Sequence, residues 1–147
     1  MEKVQSNFKC LSQYIKDLSF ENPQTPKILP HIIGNPNISV GVNVNAISID
    51  DTKNIFEIEL TINAQAKKNS EIVFIAELVY AGVIELINVE ENQKSFIVLV
   101  DGAKMIFPFA RRVLADLVRD GGFPPLYIEP IDFLALYKNN IPSVVVN

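Results

Sequence analysis

The chain has 147 residues, 48% of them hydrophobic, and carries a formal net charge of −4. This length fits one domain, which we expect to span residues 1–147 around a core of about 10–140. Lys and Arg are scattered, which predicts that the protein does not bind nucleic acid. No apolar run reaches the roughly 18–20 residues that cross a bilayer, so we expect no membrane insertion. No apolar leader is seen at the start, and we therefore expect a cytoplasmic protein.

The first predicted element is a strand at residues 14–21, where apolar and polar residues alternate. In a regular strand Tyr14 and Phe20 would share one face, and Asp17 would lie on the other with Glu21. The proline-rich residues 23–36 exclude regular structure and predict a long ordered crossover.

Three further runs of strand character follow. Strict alternation predicts half-buried strands at 37–45 and 56–66, separated by a turn at 50–54. The next run, from about Glu71 to Ile87, is apolar on both faces apart from Glu77. Because one face of an antiparallel sheet usually meets solvent, the second apolar face indicates a covering layer or a second subunit.

Helical periodicity replaces alternation later in the chain. An apolar stripe predicts an amphipathic helix with Pro108 near its start and Gly121-Gly122 at its end. Asp132 is a plausible N-cap for a short last helix from Phe133 to about Asn139. Strands first and helices later indicate an α+β fold. The stripe consists of Ile106, Ala110, Val113, Leu114 and Leu117.

The sequence offers little for catalysis or cofactor binding. His31 is the single histidine and Cys10 the single cysteine, and they lie in different segments, so neither a nucleophile with its base nor a metal site is expected. Glu57 and Glu59 share a strand face, as solvated carboxylates commonly do. Glycine-rich nucleotide motifs and a nucleophile elbow are absent from the sequence. We therefore expect a protein that is not an enzyme and needs no cofactor.

Three segments resemble the SecB family of bacterial export chaperones. The first is Y-I-K-D-L-S-F-E-N-P at 14–23, and the second is F-I-A-E at 74–77 followed by G-V at 82–83. The third combines P-F-A-R at 108–111 with G-F-P at 122–124 and L-Y-I-E-P-I-D-F at 126–133. They occur in the family's order and spacing, from about Tyr14 to Tyr137.

The resemblance implies a four-stranded antiparallel sheet with a long and a short C-terminal helix packed on it. It also implies a cytosolic homotetramer, a dimer of dimers, that holds unfolded precursor proteins and delivers them to the ATPase SecA. The family's acidic contact with SecA maps onto Asp17, Glu21 and Glu77, with Ile75 beside them.

The resemblance also implies apolar grooves for clients and an interface between subunits. The interface would include Val73, Val79 and Tyr80. Two departures affect the expected contacts. The crossover has no tryptophan, whereas that of well-known members of the family carries one. The tail at 141–147 is short and apolar, whereas many members have an acidic tail. The groove candidates are Ile28, Leu29, Ile32, Phe123, Leu126, Ile128, Phe133, Leu134 and Tyr137.

Three functions remain open from the sequence. The first is the export chaperone, and the second is a SecB-like chaperone dedicated to one client, such as an antitoxin. The intact acidic motif favours export, because a dedicated chaperone would not need SecA. The third is a small-ligand carrier on a β-sheet scaffold, which predicts a monomer with a closed cavity.

Overall fold

A five-stranded sheet forms one layer of the computed structural model, which describes residues 7–29, 34–140 and 144–146. The strand order is β1-β4-β3-β2-β5. The first four strands pair antiparallel, which confirms the expected four-stranded sheet, and β5 adds a short parallel strand beside β2. The strands are β1 (Phe8–Glu21), β2 (Asn37–Asp50), β3 (Ile55–Lys68), β4 (Glu71–Leu86) and β5 (Val144–Val146).

Alternation places the apolar residues of β3, and one of the two apolar rows of β4, on one face of the sheet, hereafter the helix face. Residues such as Ile58, Leu60 and Leu78 are fully buried there against the helices. The opposite, outer face carries the polar residues of β3. Both connecting turns use asparagine with positive φ, 55° at Asn54 and 52° at Asn69, a conformation that asparagine tolerates better than most residues.

The long helix is longer than the sequence predicts. The helix α1 (Ala103–Asp120) is preceded by three helical turns in succession. They are a 3-10 turn (Glu91–Gln93), an α-helical turn (Lys94–Phe96) and a π-helical turn (Ile97–Gly102). Pro108 therefore lies inside α1, and the prediction that it lies near the helix start is wrong. The approach was missed because the residues from Ile97 to Val100 are all buried, so no amphipathic period marks them.

The last helix, α2 (Phe133–Asn140), begins where the sequence predicts. Asp132 Oδ1 accepts a hydrogen bond from the backbone N–H of Ala135 at 3.0 Å, which confirms its capping role. The ring of Phe133 packs edge-on against Phe107 of α1, with 5.7 Å between centroids. Both helices thus share one core with the helix face of the sheet.

Strand β1 is longer and less regular than predicted. Its register against β4 shifts at Leu11 and at Lys16, as at β-bulges. The second shift reverses the alternation, so Tyr14 pairs with Ala81 and lies on the outer face, whereas Phe20 lies on the helix face. The prediction that Tyr14 and Phe20 share a face is therefore wrong, although Asp17 and Glu21 do share one.

Candidate functional site

An open apolar cavity of 420 Å³ lies on the helix face, where the end of α1 meets the start of β2. Its size suits a large side chain or a short peptide segment. Phe123, six per cent exposed, and Phe74, two per cent exposed, form part of its wall. The lining comprises Gly34, Asn35, Pro36, Ile38, Phe74, Val118, Phe123, Pro124, Pro125 and Leu126.

A second depression of 360 Å³ continues along β2. Leu126 lines both cavities, and Val40 and Val42 follow Ile38 on the same face of β2. The two depressions together are called the groove. Ile38 and Val40 are 43% and 41% exposed, so the groove presents large apolar side chains to solvent. The second part is lined by Val40, Val42, Leu126, Tyr127, Ile128, Glu129 and Ile131.

Three aromatic rings pack together beside the end of α1, and two of them, Phe74 and Phe123, form the floor of the groove. Phe20 stacks on Phe74 with 5.6 Å between centroids, and Phe74 packs against Phe123 at 5.1 Å. Gly121, at the end of α1, allows this packing, because a Cβ there would overlap the ring of Phe20. Asn22 Nδ2 donates a hydrogen bond to the Gly121 carbonyl at 2.9 Å and fixes the end of β1 to the end of α1.

Arg111 of α1 holds the groove wall in place. Its Nε donates a hydrogen bond of 2.7 Å to the carbonyl of Ile128. Its guanidinium also lies over the ring of Tyr127, 5.6 Å from the centroid, within the range of a cation–π contact. Tyr127 is 64% exposed, so this contact orients an aromatic ring at the rim of the groove.

The groove candidates from the sequence fall into separate groups. Phe123, Leu126 and Ile128 line the groove together. Ile28 and Leu29 are half-buried in the crossover and line neither depression, and Ile32 lies outside the described residues.

The remaining candidates pack beside the core at α2. Phe133 is buried there, Leu134 is half-buried, and Tyr137 packs edge-on against Phe96 at 5.8 Å. The lining residues that the sequence did not single out include Ile38, Val40, Val42, Phe74, Pro124 and Tyr127.

On the outer face, β1 and β4 bring three carboxylates together. Glu21 pairs with Ile75, Ser19 with Glu77, and Asp17 with Val79. Since directly paired residues lie on the same face, Asp17, Glu21 and Glu77 surround one spot with Ile75 beside it. All three carboxylates are exposed. These four residues, which the family resemblance also groups, are called the acidic surface.

A network of charged side chains lies further along the outer face. Lys16 Nζ contacts Glu57 at 2.7 Å and also bonds Glu59, and the Tyr14 hydroxyl donates to Glu57. These bonds tie the edge strand β1 to β3 across the small Ala81 of β4.

The network shifts the pKa values of its members. Burial, with the hydrogen bond to Glu57, raises the pKa of Tyr14 to about 12. The pKa of Lys16 is also raised, mainly by its hydrogen bonds to Glu57 and Glu59. Burial of Glu57 acts to raise its pKa, but hydrogen bonds from Lys16 and Tyr14 together lower it below the ordinary value.

The three residues expected at a subunit interface differ in exposure. Val73 and Tyr80 are only 1% and 8% exposed within this chain, so they offer little surface to a partner, whereas Val79 is half-buried. More exposed apolar side chains lie on β1 and α1. They are Leu11 at 46%, Ile15 at 47%, Leu18 at 40% and Phe109 at 46%.

Within 7–29, 34–140 and 144–146, no group of three or more His, Cys, Asp or Glu side chains could hold a metal ion. Across the same ranges, no helix has the length and apolar character needed to cross a membrane. Cys10 is an exposed thiol on β1, and His31 lies outside the described residues.

Comparison with known proteins identifies the family. Residues 1–143 match the family model described as preprotein translocase subunit SecB. The chain is 46% identical over 131 residues to the protein-export protein SecB of Bradyrhizobium sp., covering 89% of this chain and 80% of that one. It is 48% identical over 131 residues to SecB of Maricaulis maris, covering 88% and 74%.

A solved structure has a similar fold. A SecB-like chaperone of Mycobacterium tuberculosis, in complex with a ChAD peptide from the HigA1 antitoxin, matches with a TM-score of 0.71 at 14% identity. The match covers 86% of this chain and 91% of that one. The chain belongs to the SecB family, whose members are named as export chaperones and are not enzymes.

Proposed function

We propose that this SecB-family chain is a cytoplasmic export chaperone that holds unfolded precursor proteins and delivers them to SecA. The observation that carries the proposal is the open apolar groove on the helix face. Its exposed residues, such as Ile38 and Val40, lie on strand β2, and the helices in the described part of the chain leave them open to solvent. A folded protein hides the side chains that would fill such a groove, whereas an unfolded one presents them.

The groove suits binding without sequence readout. Its lining is mainly apolar, and its polar groups are the side chains of Asn35 and Glu129 and the Tyr127 hydroxyl. Affinity would come from client side chains leaving water, at about 25 cal/mol per Å² of apolar area, less the entropy lost when an unfolded segment becomes ordered. Selectivity would therefore follow exposure of apolar segments instead of a motif.

The acidic surface supports delivery to SecA. Asp17, Glu21 and Glu77 are exposed on the face opposite the groove, so a basic segment of SecA could bind there while a client occupies the groove. Charge complementarity of this kind accelerates association and weakens with added salt.

Assembly into a homotetramer, a dimer of dimers, is part of the proposal. The exposed Leu11, Ile15 and Leu18 of β1 and Phe109 of α1 are large apolar side chains that a second copy of the chain would cover. Among the interface residues that the family resemblance implies, Val79 is half-buried and can contact a second subunit, whereas Val73 and Tyr80 expose little surface.

Sizing with light scattering tests the holding function. We expect a four-subunit particle that retains a chemically unfolded precursor and ignores the same precursor once folded. A monomer that retains neither form would refute the proposal and favour the small-ligand carrier.

Charge reversal tests the delivery function. We expect Glu77→Lys to abolish SecA binding and leave retention of unfolded precursor unchanged. Glu85→Lys is the matched control, because it makes the same charge change on the outer face of the same strand, where Glu85 pairs with Lys9. If the wild-type protein holds precursors but does not bind SecA at low salt, the delivery function is wrong and the protein is a chaperone dedicated to another task. Equal loss in both variants would contradict the assignment of the acidic surface.

A further inference from the structure

A shallow depression of 520 Å³, called the hollow, lies on the outer face of the sheet. It begins at Ile75 and Glu77, which belong to the acidic surface, and extends over β3 to Ser39 and Gly41 of β2. The hollow and the acidic surface are therefore continuous, so a partner bound to the carboxylates would also lie over the hollow. Its lining comprises Ser39, Val40, Gly41, Asn63, Ala64, Gln65, Ile75 and Glu77.

The hollow is deepest in side-chain content where β2 has a glycine. Gly41 occupies an exposed outer-face position opposite Asn63 of β3, and a Cβ built there would meet no atom within 4 Å. Its pairing with β3 is regular and it lacks the positive φ of Gly34, so neither a bulge nor the backbone conformation requires glycine here. Glycine weakens a strand interior, and one remaining reason for it is the close approach of another backbone or a ligand.

Uncharged hydrogen-bonding groups surround Gly41. Asn63 is exposed and Gln65 is half-buried, and each amide side chain can both donate and accept hydrogen bonds. At the other end of the hollow, half-buried Ile75 offers an apolar surface and exposed Glu77 a carboxylate. A carboxylate attracts basic segments in general, whereas hydrogen bonds depend on distance and angle. The amides can therefore distinguish between basic partners that the carboxylates alone would treat alike.

We propose that the hollow determines the specificity of the outer face for its basic partner. A segment of the partner lies across β4, β3 and β2, with a basic side chain at Glu77 and its backbone against Gly41. Peptide N–H and C=O groups of that segment pair with the amides of Asn63 and Gln65. This rests on the proposed function and adds to it the contacts that would select SecA from other basic proteins.

Filling the hollow tests the proposal in the full chain. Gly41→Gln adds a neutral side chain whose Cβ meets no other atom, and it leaves every carboxylate of the acidic surface in place. Since the partner's backbone could no longer approach, we expect at least about tenfold weaker binding of SecA by isothermal titration calorimetry. Binding of poly-lysine at low salt should be unchanged. Asn43→Gln is the matched control, because it lengthens an exposed side chain on the same face of β2 outside the hollow.

The outcomes separate the hollow from the carboxylates. If Gly41→Gln binds SecA as tightly as the wild type does, the inference is wrong and the proposed function stands. If the variant loses SecA and poly-lysine binding equally, the acidic surface itself has been disturbed and the specificity role is wrong. Failure of the wild type to bind SecA would overturn both the proposed function and this inference.

A second variant removes a side chain instead of adding one. Asn63→Ala takes away an exposed amide and leaves the charge unchanged, so it should weaken SecA binding several-fold and spare poly-lysine binding. Retention of an unfolded precursor by both variants shows that they are folded. An affinity for SecA equal to that of the wild type in Asn63→Ala would contradict the assignment of the amides.

Discussion

Replacing Gly121 by alanine tests the packing between the end of α1 and the floor of the groove. Gly121 has φ −74° and ψ −2°, which alanine adopts without strain. The added Cβ would lie under 3.0 Å from two ring atoms of Phe20, closer than real Cβ atoms come. The ring cannot retreat freely, because it stacks on Phe74 at 5.6 Å and stands 6.4 Å from Phe123.

The expected cost follows from two opposing effects. Overpacking a filled site costs about 1–3 kcal/mol, whereas replacing glycine by alanine returns about 0.4–1 kcal/mol by restricting the unfolded chain. We therefore expect Gly121→Ala to lower the free energy of unfolding by about 1 kcal/mol. Since Phe74 and Phe123 line the groove, binding of unfolded clients should weaken as well.

Urea denaturation followed by circular dichroism at a fixed protein concentration measures the effect. Gly41→Ala is the control, because a Cβ at Gly41 meets nothing within 4 Å, and that variant should be at least as stable as the wild type. The decisive comparison repeats Gly121→Ala in a Phe20→Leu background. With the smaller side chain the cost should vanish, and an undiminished cost there would show that the ring is not the obstacle and refute the reasoning.

Three further predictions concern the outer-face network and the groove wall. The raised pKa of Tyr14 contributes stability that is complete below about pH 10 and is lost as the pH rises toward about 12. Over that pH range the free energy of unfolding of the wild type should therefore fall by about 1 kcal/mol more than that of Tyr14→Phe. Parallel curves of stability against pH for the two proteins would contradict this. The lowered pKa of Glu57 contributes stability that is present above its unfolded value near 4.5 and is lost as the pH falls, so acid titration of stability should be flatter in Glu57→Gln. Arg111→Met removes the donor to the Ile128 carbonyl and should weaken binding of an unfolded client several-fold as measured by fluorescence anisotropy, whereas Arg112→Met, at an exposed side chain, should leave the affinity unchanged.

The sequence predicted the strands where one face is buried along the whole length. β3 alternates buried and less buried residues from Phe56 to Ala66 without interruption, so its period is unambiguous. β1 is an edge strand with mostly exposed residues, and its register shift at Lys16 leaves no mark in the alternation. The start of the long helical segment was missed for the opposite reason, because burial around Val98 is complete.

The candidate site was predictable in part for related reasons. The motif identified Asp17 and Glu77, and strand pairing brings them together. The family resemblance also points to the apolar residues Phe123 and Leu126, but the sequence predicts for Ile38 and Val40 only that they share one face of a half-buried strand. Alternation identifies that face. It does not predict that the helices leave this end of β2 uncovered, with the side chains of Ile38 and Val40 exposed.

Phe74 and Ile75 are neighbours in β4, yet they belong to different surfaces of the protein. Phe74 lines the groove on the helix face, and Ile75 lies beside the acidic residues on the outer face. A ligand that shifts this stretch of backbone on one side must shift it on the other. Under the proposed function, any such shift would link the two binding events. A client that changed the affinity for a basic partner by some factor would then have its own affinity changed by the same factor when that partner binds.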